Sequence, residues 1–210
     1  YYQTWGNLRR NLMEMRQEHG RSLVMRQLED LVERARGLNA RADRLKLDPT
    51  LPLPEYLTAV DIHCMPGSYH AEVVPDDVSP AANYDSGTFV ITAGITGRFN
   101  DGGGRAILAW LDRNAPDFRP RRILDVGCGL GLNTVPVARR YPDAEVYAVD
   151  AAAPMLRYAH ARAKSFGVDG VHWIQANAEA LDFPDGYFDL VLVTTFWHET
   201  SADAVRKILA

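Results

Sequence analysis

Cysteine is scarce in this sequence, which holds only Cys64 and Cys128 among 210 residues. Two cysteines do not make the set of bridges that stabilises small secreted domains. Apolar runs of the ~20 residues that a membrane-spanning helix needs are missing as well. The first residues, YYQTWGNLRR, lack the apolar core of a secretory signal. These absences predict a cytoplasmic protein without a membrane partner.

A strong excess of charge is also missing. The chain has 23 Lys and Arg residues against 27 Asp and Glu residues, so its net charge is -4. An acidic balance disfavours non-specific attraction to nucleic acid. The remaining composition, 47% hydrophobic and 24% charged, is that of a globular protein. The length suits one full domain with a smaller appendage.

The first 47 residues carry apolar side chains at spacings of three to five, which predicts amphipathic helices. We expect Gly20 to separate two helices and Gly37 to end the second. Basic residues exceed acidic ones in this segment. Three interpretations stay open: a solvated helix face, a surface for a homodimer through the N-terminal helices, or a lid over a substrate pocket.

Proline and glycine interrupt the next part of the chain. Six prolines lie between residues 48 and 80, so we expect irregular structure there with one short helix at Glu55–Ile62. Residues 84–104 are also predicted to be irregular, ending in a hinge or mobile loop at Gly102–Gly104 before the helix Arg105–Arg113. We therefore divide the chain into an N-terminal helical and irregular region, 1–83, and a second domain, 84–210.

Strand and helix patterns alternate from residue 119 onward. The predicted strands are Arg122–Val126, Glu145–Asp150, Val171–Ala176 and Asp189–Thr194. The predicted helices are Asn133–Tyr141, Pro154–Phe166 and Ala202–Ala210. Such alternation predicts an α/β fold with a Rossmann-like, doubly wound parallel sheet.

The segment Ile123–Gly131, ILDVGCGLG, joins the first of these strands to a helix. Glycines 127, 129 and 131 let the turn adopt positive φ and let a ligand approach the backbone. The helix that follows offers free N–H groups, and ligands of open α/β folds bind at this end of the sheet. The turn therefore predicts a nucleoside-bearing cofactor.

Two details of the turn indicate which cofactor binds. In a dinucleotide-binding turn the third glycine would be residue 132, which is Leu132 here, whereas Gly131 comes one position early. Asp125 lies two residues before the first glycine, where a carboxylate would repel a pyrophosphate. It would suit the ammonium or sulfonium group of S-adenosylmethionine, which carries no phosphate.

Polar residues follow the next two strands. Asp150 ends the second strand, where a carboxylate can accept hydrogen bonds from ribose hydroxyls or cap the next helix. Asn177, Ala178 and Glu179 follow the third strand, where they would contact the adenine edge or form a helix cap.

The pieces ILDVGCGLG, VYAVD, ANAEAL and FDLVLVTTFWHE stand in the order and spacing typical of the class I S-adenosylmethionine-dependent methyltransferases, which the chain resembles over residues 121–210. The resemblance implies that the motif of Asp125, Gly127 and Gly129 surrounds the methionine moiety and that Asp150 binds ribose. It further places Ala178 and Glu179 beside adenine, Val193, Thr194 and Thr195 beneath the cofactor, and Tyr84 and Asp85 over it. The family commonly has Asp where Asn177 stands, and its last strands are absent from this chain. The full set of predicted cofactor contacts is Tyr84, Asp125, Gly127, Cys128, Gly129, Asp150, Ala151, Met155, Asn177, Ala178, Glu179, Val193 and Thr194.

Histidine and cysteine offer few further candidates for catalysis. His198 follows the fourth strand, and its imidazole titrates near neutral pH, so it is the candidate base; a structural role is the alternative. Glu199 follows His198, although adjacent side chains need not face each other. His63, Cys64 and His70 match no standard zinc spacing, so no metal site is predicted. We expect Cys128 to fill space in the turn as a small neutral side chain rather than to act as a nucleophile.

These features predict a methyltransferase that passes a methyl group from S-adenosylmethionine to a small-molecule acceptor. Two alternatives stay open: an NAD(P)-dependent oxidoreductase, or a protein that binds S-adenosylmethionine without catalysis. A nucleic-acid methyltransferase is disfavoured by the acidic charge and by TTFWHE after the fourth strand, where amino-methylating enzymes carry an Asp/Asn-Pro-Pro-Tyr/Phe motif.

Overall fold

A five-stranded parallel sheet forms the centre of the fold in a computed structural model, which describes residues 1–41, 43–59 and 61–210. The strands are β1 (Leu45–Lys46), β2 (Arg122–Val126), β3 (Glu145–Asp150), β4 (Val171–Gln175) and β5 (Leu190–Val193). Their order is β1-β4-β3-β2-β5, and each neighbouring pair is parallel. The predicted Rossmann-like α/β fold is confirmed.

Helices cover the sheet. They are α1 (Tyr2–Met25), α2 (Leu28–Asn39), α3 (Glu55–Thr58), α4 (Ser79–Ile91), α5 (Gly102–Asn114), α6 (Thr134–Arg140), α7 (Ala153–Ser165) and α8 (Ala202–Ile208), with a 3₁₀ turn at Trp197–Glu199. Ile123, Leu156 and Trp173 are almost fully buried in the main core between the sheet and its helices. A sheet covered on both faces explains why the strands read as apolar runs.

The first helix runs through Gly20, and the chain breaks at Arg26 and Gln27 instead. The prediction that Gly20 separates two helices is therefore wrong. A Cβ atom at Gly20 would lie 2.7 Å from Asn83 Oδ1, so glycine there permits close packing of α1 on α4. The second helix likewise passes Gly37 and ends at Asn39.

The glycines at 102–104 are not a hinge, because α5 begins with them. A Cβ atom at Gly103 would lie 2.8 Å from Asn133 Oδ1, and one at Gly104 would lie 2.6 Å from Pro136 Cγ. These glycines therefore allow α5 to pack closely against α6 and the turn before it. Their sequence resembles a flexible linker, but their function is close packing between helices.

The region before residue 104 is more regular than its prolines and glycines predict. Residues 79–91, partly predicted as irregular, form α4, and the short predicted helix at Glu55–Ile62 is reduced to α3, with Val60 outside the described residues. The predicted division between residues 83 and 84 falls inside α4.

The N-terminal region packs on the second domain and also extends its sheet. Val32 and Ala35 of α2 pack with Val78 and Ala161, and β1 pairs with β4 at one edge. Several apolar side chains of α1 face outward, namely Trp5, Leu8, Leu12 and Met15. A homodimer through these helices stays a prediction. No helix within the described residues is long and apolar enough to cross a membrane.

Candidate cofactor and acceptor site

The glycine turn after β2 depends on positive φ angles at all three glycines. They are 66° at Gly127, 53° at Gly129 and 76° at Gly131, a region that side chains other than glycine rarely adopt. A Cβ atom at Gly127 would lie 2.5 Å from the Phe196 ring, and one at Gly131 would lie 2.6 Å from the Trp173 ring. At Gly129 the nearest atom would be 3.8 Å away. Gly127 and Gly131 therefore permit close packing, whereas Gly129 leaves open space.

Asp150 joins the turn to the end of β3. Its carboxylate accepts hydrogen bonds from the N–H groups of Gly129, at 2.8 Å, and Ala152, at 2.9 Å. Burial raises the pKa of Asp150, and these N–H groups act in the opposite direction. The side chain lines the main cavity, so it can both brace the turn and face a ligand.

Asp125 lies beneath the turn. Its side chain is buried, and it accepts a hydrogen bond of 2.6 Å from the Thr134 hydroxyl. Burial raises the pKa of Asp125 to about 7, against the opposing effect of that hydrogen bond. The carboxyl group therefore titrates near neutral pH.

The main cavity opens at the carboxyl ends of β2, β3 and β5 and encloses about 970 Å³ of empty space, part of it continuous with solvent. Nine of the predicted cofactor residues line it: Tyr84, Gly127, Cys128, Gly129, Asp150, Ala151, Met155, Ala178 and Thr194. The structure places four others outside the lining: Asp125, Asn177, Glu179 and Val193. Their contact with a cofactor stays a prediction.

The positions of these four residues have local explanations. Asn177 Oδ1 accepts a hydrogen bond from the N–H of Glu179, and the Glu179 carboxylate pairs with Lys207 at 2.6 Å. Val193 packs against a core cluster of the sheet. The loop after β4 is thus held by a hydrogen bond of its own and by an ion pair with α8.

Burial raises the pKa of the Cys128 thiol well above its usual value. The thiol is therefore neutral near pH 7, in keeping with its predicted role as a filler rather than a nucleophile.

Sequence reasoning missed the residues that the N-terminal region brings to the cavity. Tyr56, Asp61 and Tyr69 line it together with the glycine turn. The Tyr56 ring lies edge-on to Phe196, with centroids 6.2 Å apart. Nothing in their local sequence marks these residues, because the cavity is formed by packing between segments distant in the chain.

A cluster of His63, Tyr69, His198 and Glu199 borders the cavity: Tyr69 and Glu199 line it, whereas His63 and the predicted base His198 lie outside its lining. Glu199 Oε1 is 2.7 Å from His63 Nε2 and 3.3 Å from His198 Nε2, and it accepts a hydrogen bond of 2.9 Å from the Tyr69 hydroxyl. The hydrogen bond to Glu199 raises the pKa of His63. The adjacent residues His198 and Glu199 thus do face each other.

The three residues weighed together in the sequence, His63, Cys64 and His70, do not meet as a group. The His63 side chain instead contacts His198 and Glu199, which lie 135 and 136 residues later in the chain. The sequence held one signal for this pairing. The segment TTFWHE after the fourth strand places His198 and Glu199 at the ligand-binding end of the sheet.

Known proteins show similarity to the second half of the chain. Residues 123–210 match the family model described as "Methyltransferase domain". The demethylmenaquinone methyltransferase of Thermus thermophilus is 43% identical over 91 residues, which cover 42% of this chain and 41% of that protein. The ubiquinone/menaquinone biosynthesis C-methyltransferase of Pectobacterium atrosepticum is 36% identical over 78 residues, which cover 36% of this chain and 31% of that protein.

A solved structure from Methanococcus maripaludis, provisionally assigned as an S-adenosyl-L-methionine-dependent methyltransferase, has the same fold. Its TM-score is 0.50 at 18% identity, and the match covers 66% of this chain and 60% of that one. Together with the parallel sheet and the glycine turn, the family-model match and the curated relatives support a relationship between residues 123–210 and the class I S-adenosylmethionine-dependent methyltransferases. The matched region spans less than half the length of the curated relatives named here.

Proposed function

We propose that this protein transfers a methyl group from S-adenosylmethionine to a small-molecule acceptor. The observation that carries the proposal is the charge of the cavity. Three carboxylate side chains line it, those of Asp61, Asp150 and Glu199, and no Lys or Arg stands among the described residues of its lining. A cavity of this charge suits a cationic ligand and repels a pyrophosphate.

The residues present fit S-adenosylmethionine. The open space at Gly129 admits a ligand close to the backbone, and the Asp150 carboxylate can accept hydrogen bonds from ribose hydroxyls. Apolar side chains, including Leu130, Met155 and Ala178, suit the flat face of adenine. When bound, this cofactor supplies an already activated methyl group on a sulfonium.

The protein's own part in such a reaction is to position the reactants. The acceptor's lone pair must approach the methyl carbon in line with the bond that breaks to sulfur, so orientation accounts for much of the rate. Tyr56, Tyr69 and Phe196 line the cavity with aromatic rings that can hold a flat or apolar acceptor. The names of two relatives refer to quinone biosynthesis, which supports an acceptor of this class.

His198 remains the proposed base for an acceptor that must lose a proton. Its Nε2 atom lies 3.3 Å from Glu199 Oε1, and Glu199 lines the cavity. His63 is now a second candidate, because its Nε2 atom lies closer to the same carboxylate, at 2.7 Å.

Two alternatives make different predictions. An oxidoreductase would need a turn for a dinucleotide, which the early Gly131 and the acidic cavity disfavour. A non-catalytic binding protein would share the cofactor contacts but have no turnover. Incubating the full chain with methyl-labelled S-adenosylmethionine and a metabolite extract separates these cases. We expect label in a small-molecule product, and binding of the cofactor without any labelled product would contradict the proposed transfer.

A further inference from the structure

The side chains of His63, His198 and Glu199 bring three possible metal-ligand atoms close together. His63 Nε2 lies 3.2 Å from His198 Nε2, and Glu199 Oε1 lies 2.7 Å from the first and 3.3 Å from the second. The two imidazole rings meet edge to face, at 85°. Within the described ranges, these residues form the group of His, Cys and acidic side chains whose ligand atoms converge.

Protons on both imidazole Nε2 atoms would not satisfy this triangle. Glu199 Oε1 already accepts the Tyr69 hydroxyl at 2.9 Å, and a carboxylate oxygen has two lone pairs. If both imidazoles carried a proton on Nε2, Glu199 Oε1 would face three donors, and the two N–H groups would face each other at 3.2 Å. If only His63 carries that proton, the lone pair of His198 Nε2 points into the cluster. A metal cation would displace the remaining proton from His63 and bind both unprotonated Nε2 atoms beside the carboxylate.

The spacing of the three atoms fits a single metal ion. Ligand bonds of about 2.0–2.2 Å that meet at about 90–110° place neighbouring ligand atoms roughly 2.8–3.6 Å apart. Two of the three distances lie in this range, and the His63–Glu199 pair lies 0.1 Å below it, at 2.7 Å. We propose that His63, His198 and Glu199 bind a divalent transition-metal ion at the end of the cavity. Two His ligands and one carboxylate on one face leave further positions open.

The charged and polar side chains around this cluster affect how well it can bind a cation. Asp61 adds a second carboxylate and holds the His63 loop, because it accepts hydrogen bonds from the N–H groups of His63 and Met65. Arg16 is the opposing positive charge near His63. Tyr69 bonds to the ligating oxygen of Glu199, as residues around a metal site commonly do to orient a ligand.

The role of the ion rests on the proposed function, whereas its binding does not. Glu199 lines the cavity, so open metal positions beside it would face the acceptor. A metal there would act as a Lewis acid, which binds a hydroxyl or enolic oxygen and lowers its pKa. It would take over the part of the proposed histidine base, because the Nε2 lone pairs of His63 and His198 would be held by the metal. The acceptors that this site fits are therefore oxygen-bearing small molecules.

Metal titration of the full chain tests the proposal directly. The chelator-treated protein is titrated with Zn²⁺ by calorimetry in the presence of a weak competing buffer, and with Co²⁺ by visible absorption. We expect saturable binding near one equivalent and a Co²⁺ spectrum without thiolate charge transfer, since Cys64 and Cys128 are not ligands. Substituting His63→Gln, His198→Gln or Glu199→Gln should each weaken Zn²⁺ binding by more than ~100-fold, and Tyr69→Phe by the smaller factor of ~10-fold.

His70→Gln is the matched control, because His70 is a nearby histidine outside the cluster, and it should leave Zn²⁺ affinity unchanged. The thermal melting curve and the affinity for S-adenosylhomocysteine are measured for every variant, so that loss of the fold is recognised. Because the Co²⁺ titration uses the wild-type protein, it tests the metal site even if a variant misfolds. Absence of saturable binding, a thiolate spectrum, or equal affinity in wild type and His198→Gln would overturn the metal site. If Zn²⁺ binds but methyl transfer proceeds equally well without metal, the proposed function and the metal site both stand and the proposed role of the ion in the reaction fails.

Discussion

The two sides of the cavity differ in what lines them, which is mainly backbone on one side and side chains on the other. The sheet side consists of strand ends and a backbone turn, in which Gly129 and Asp150 are joined by a hydrogen bond of 2.8 Å. The cover side consists of side chains such as Tyr56, Asp61 and Tyr69 from the N-terminal region. A backbone turn on a buried sheet is rigid and tolerates few residue types, whereas side chains on a cover can change without altering the fold. We therefore expect the sheet side to fix the cofactor and the cover side to select the acceptor.

The largest effect should come from Gly127→Ala on the sheet side. Residue 127 has φ 66°, and its new Cβ atom would lie 2.5 Å from the Phe196 ring. Positive φ and crowding together should lower the free energy of unfolding by at least ~2 kcal/mol and abolish measurable binding of S-adenosylhomocysteine. Denaturant unfolding and calorimetry measure the two quantities.

Gly87→Ala is the matched control for that substitution. Gly87 lies in α4 with no atom within 4 Å of an added Cβ. Alanine there should raise the unfolding free energy by up to ~1 kcal/mol, because it favours the helix. If Gly127→Ala is as well tolerated as Gly87→Ala, the turn does not require glycine.

Asp150→Asn should weaken the affinity for S-adenosylhomocysteine by ~10-fold to 100-fold. The substitution would turn the proposed charged acceptor of the ribose hydroxyls into a neutral amide, and hydrogen bonds to a charged group contribute about 1.5–3 kcal/mol. The control is Asp189→Asn, since Asp189 accepts the N–H groups of Arg121 and Arg122 where β2 begins, at the opposite end of the sheet. That variant should lose stability but keep its affinity, and an unchanged affinity in Asp150→Asn would refute the ribose contact.

The unfolding free energy should depend on pH through Asp125. Its folded pKa of about 7 lies above the ordinary value of 3.8, so the folded state holds the proton more tightly than the unfolded state does. The contribution of this carboxyl group therefore favours folding below about pH 4, and it diminishes as the pH rises to about 7. The loss approaches ~1 kcal/mol per pH unit within that window.

Asp125→Asn removes this titration while keeping an acceptor for the Thr134 hydroxyl. The free energy of unfolding, measured with denaturant between pH 4 and 8, should therefore fall less steeply with rising pH in the variant than in wild type. Parallel curves for the two proteins would show that Asp125 is not the titrating group.

The smallest effect should come from the cover side. Asn83 is buried, and its Nδ2 atom donates to Gln17 Oε1 at 3.0 Å between α4 and α1. Asn83→Ala should cost about 1 kcal/mol of stability and leave the affinity for S-adenosylhomocysteine within about twofold. A loss of affinity as large as that of Asp150→Asn would mean that the cover also determines how the cofactor binds.

The same contrast explains how much the sequence revealed. The glycine turn, Asp150 and the four main strands follow local patterns, and the structure has all of them. The pairing of His63 with Glu199 spans 136 residues, and no local pattern encodes such a contact. Gly20 and Gly102–Gly104 misled prediction because glycine serves both flexible loops and close helix packing, and only the neighbouring element distinguishes the two.

The central claim is that the acidic cavity at the end of the sheet binds S-adenosylmethionine. Calorimetric titration of the full chain with S-adenosylhomocysteine and, separately, with NAD⁺ tests it most directly. We predict saturable binding of S-adenosylhomocysteine that weakens in Asp150→Asn, with no saturable heat from NAD⁺. Tight binding of NAD⁺ without any response to S-adenosylhomocysteine would contradict the account.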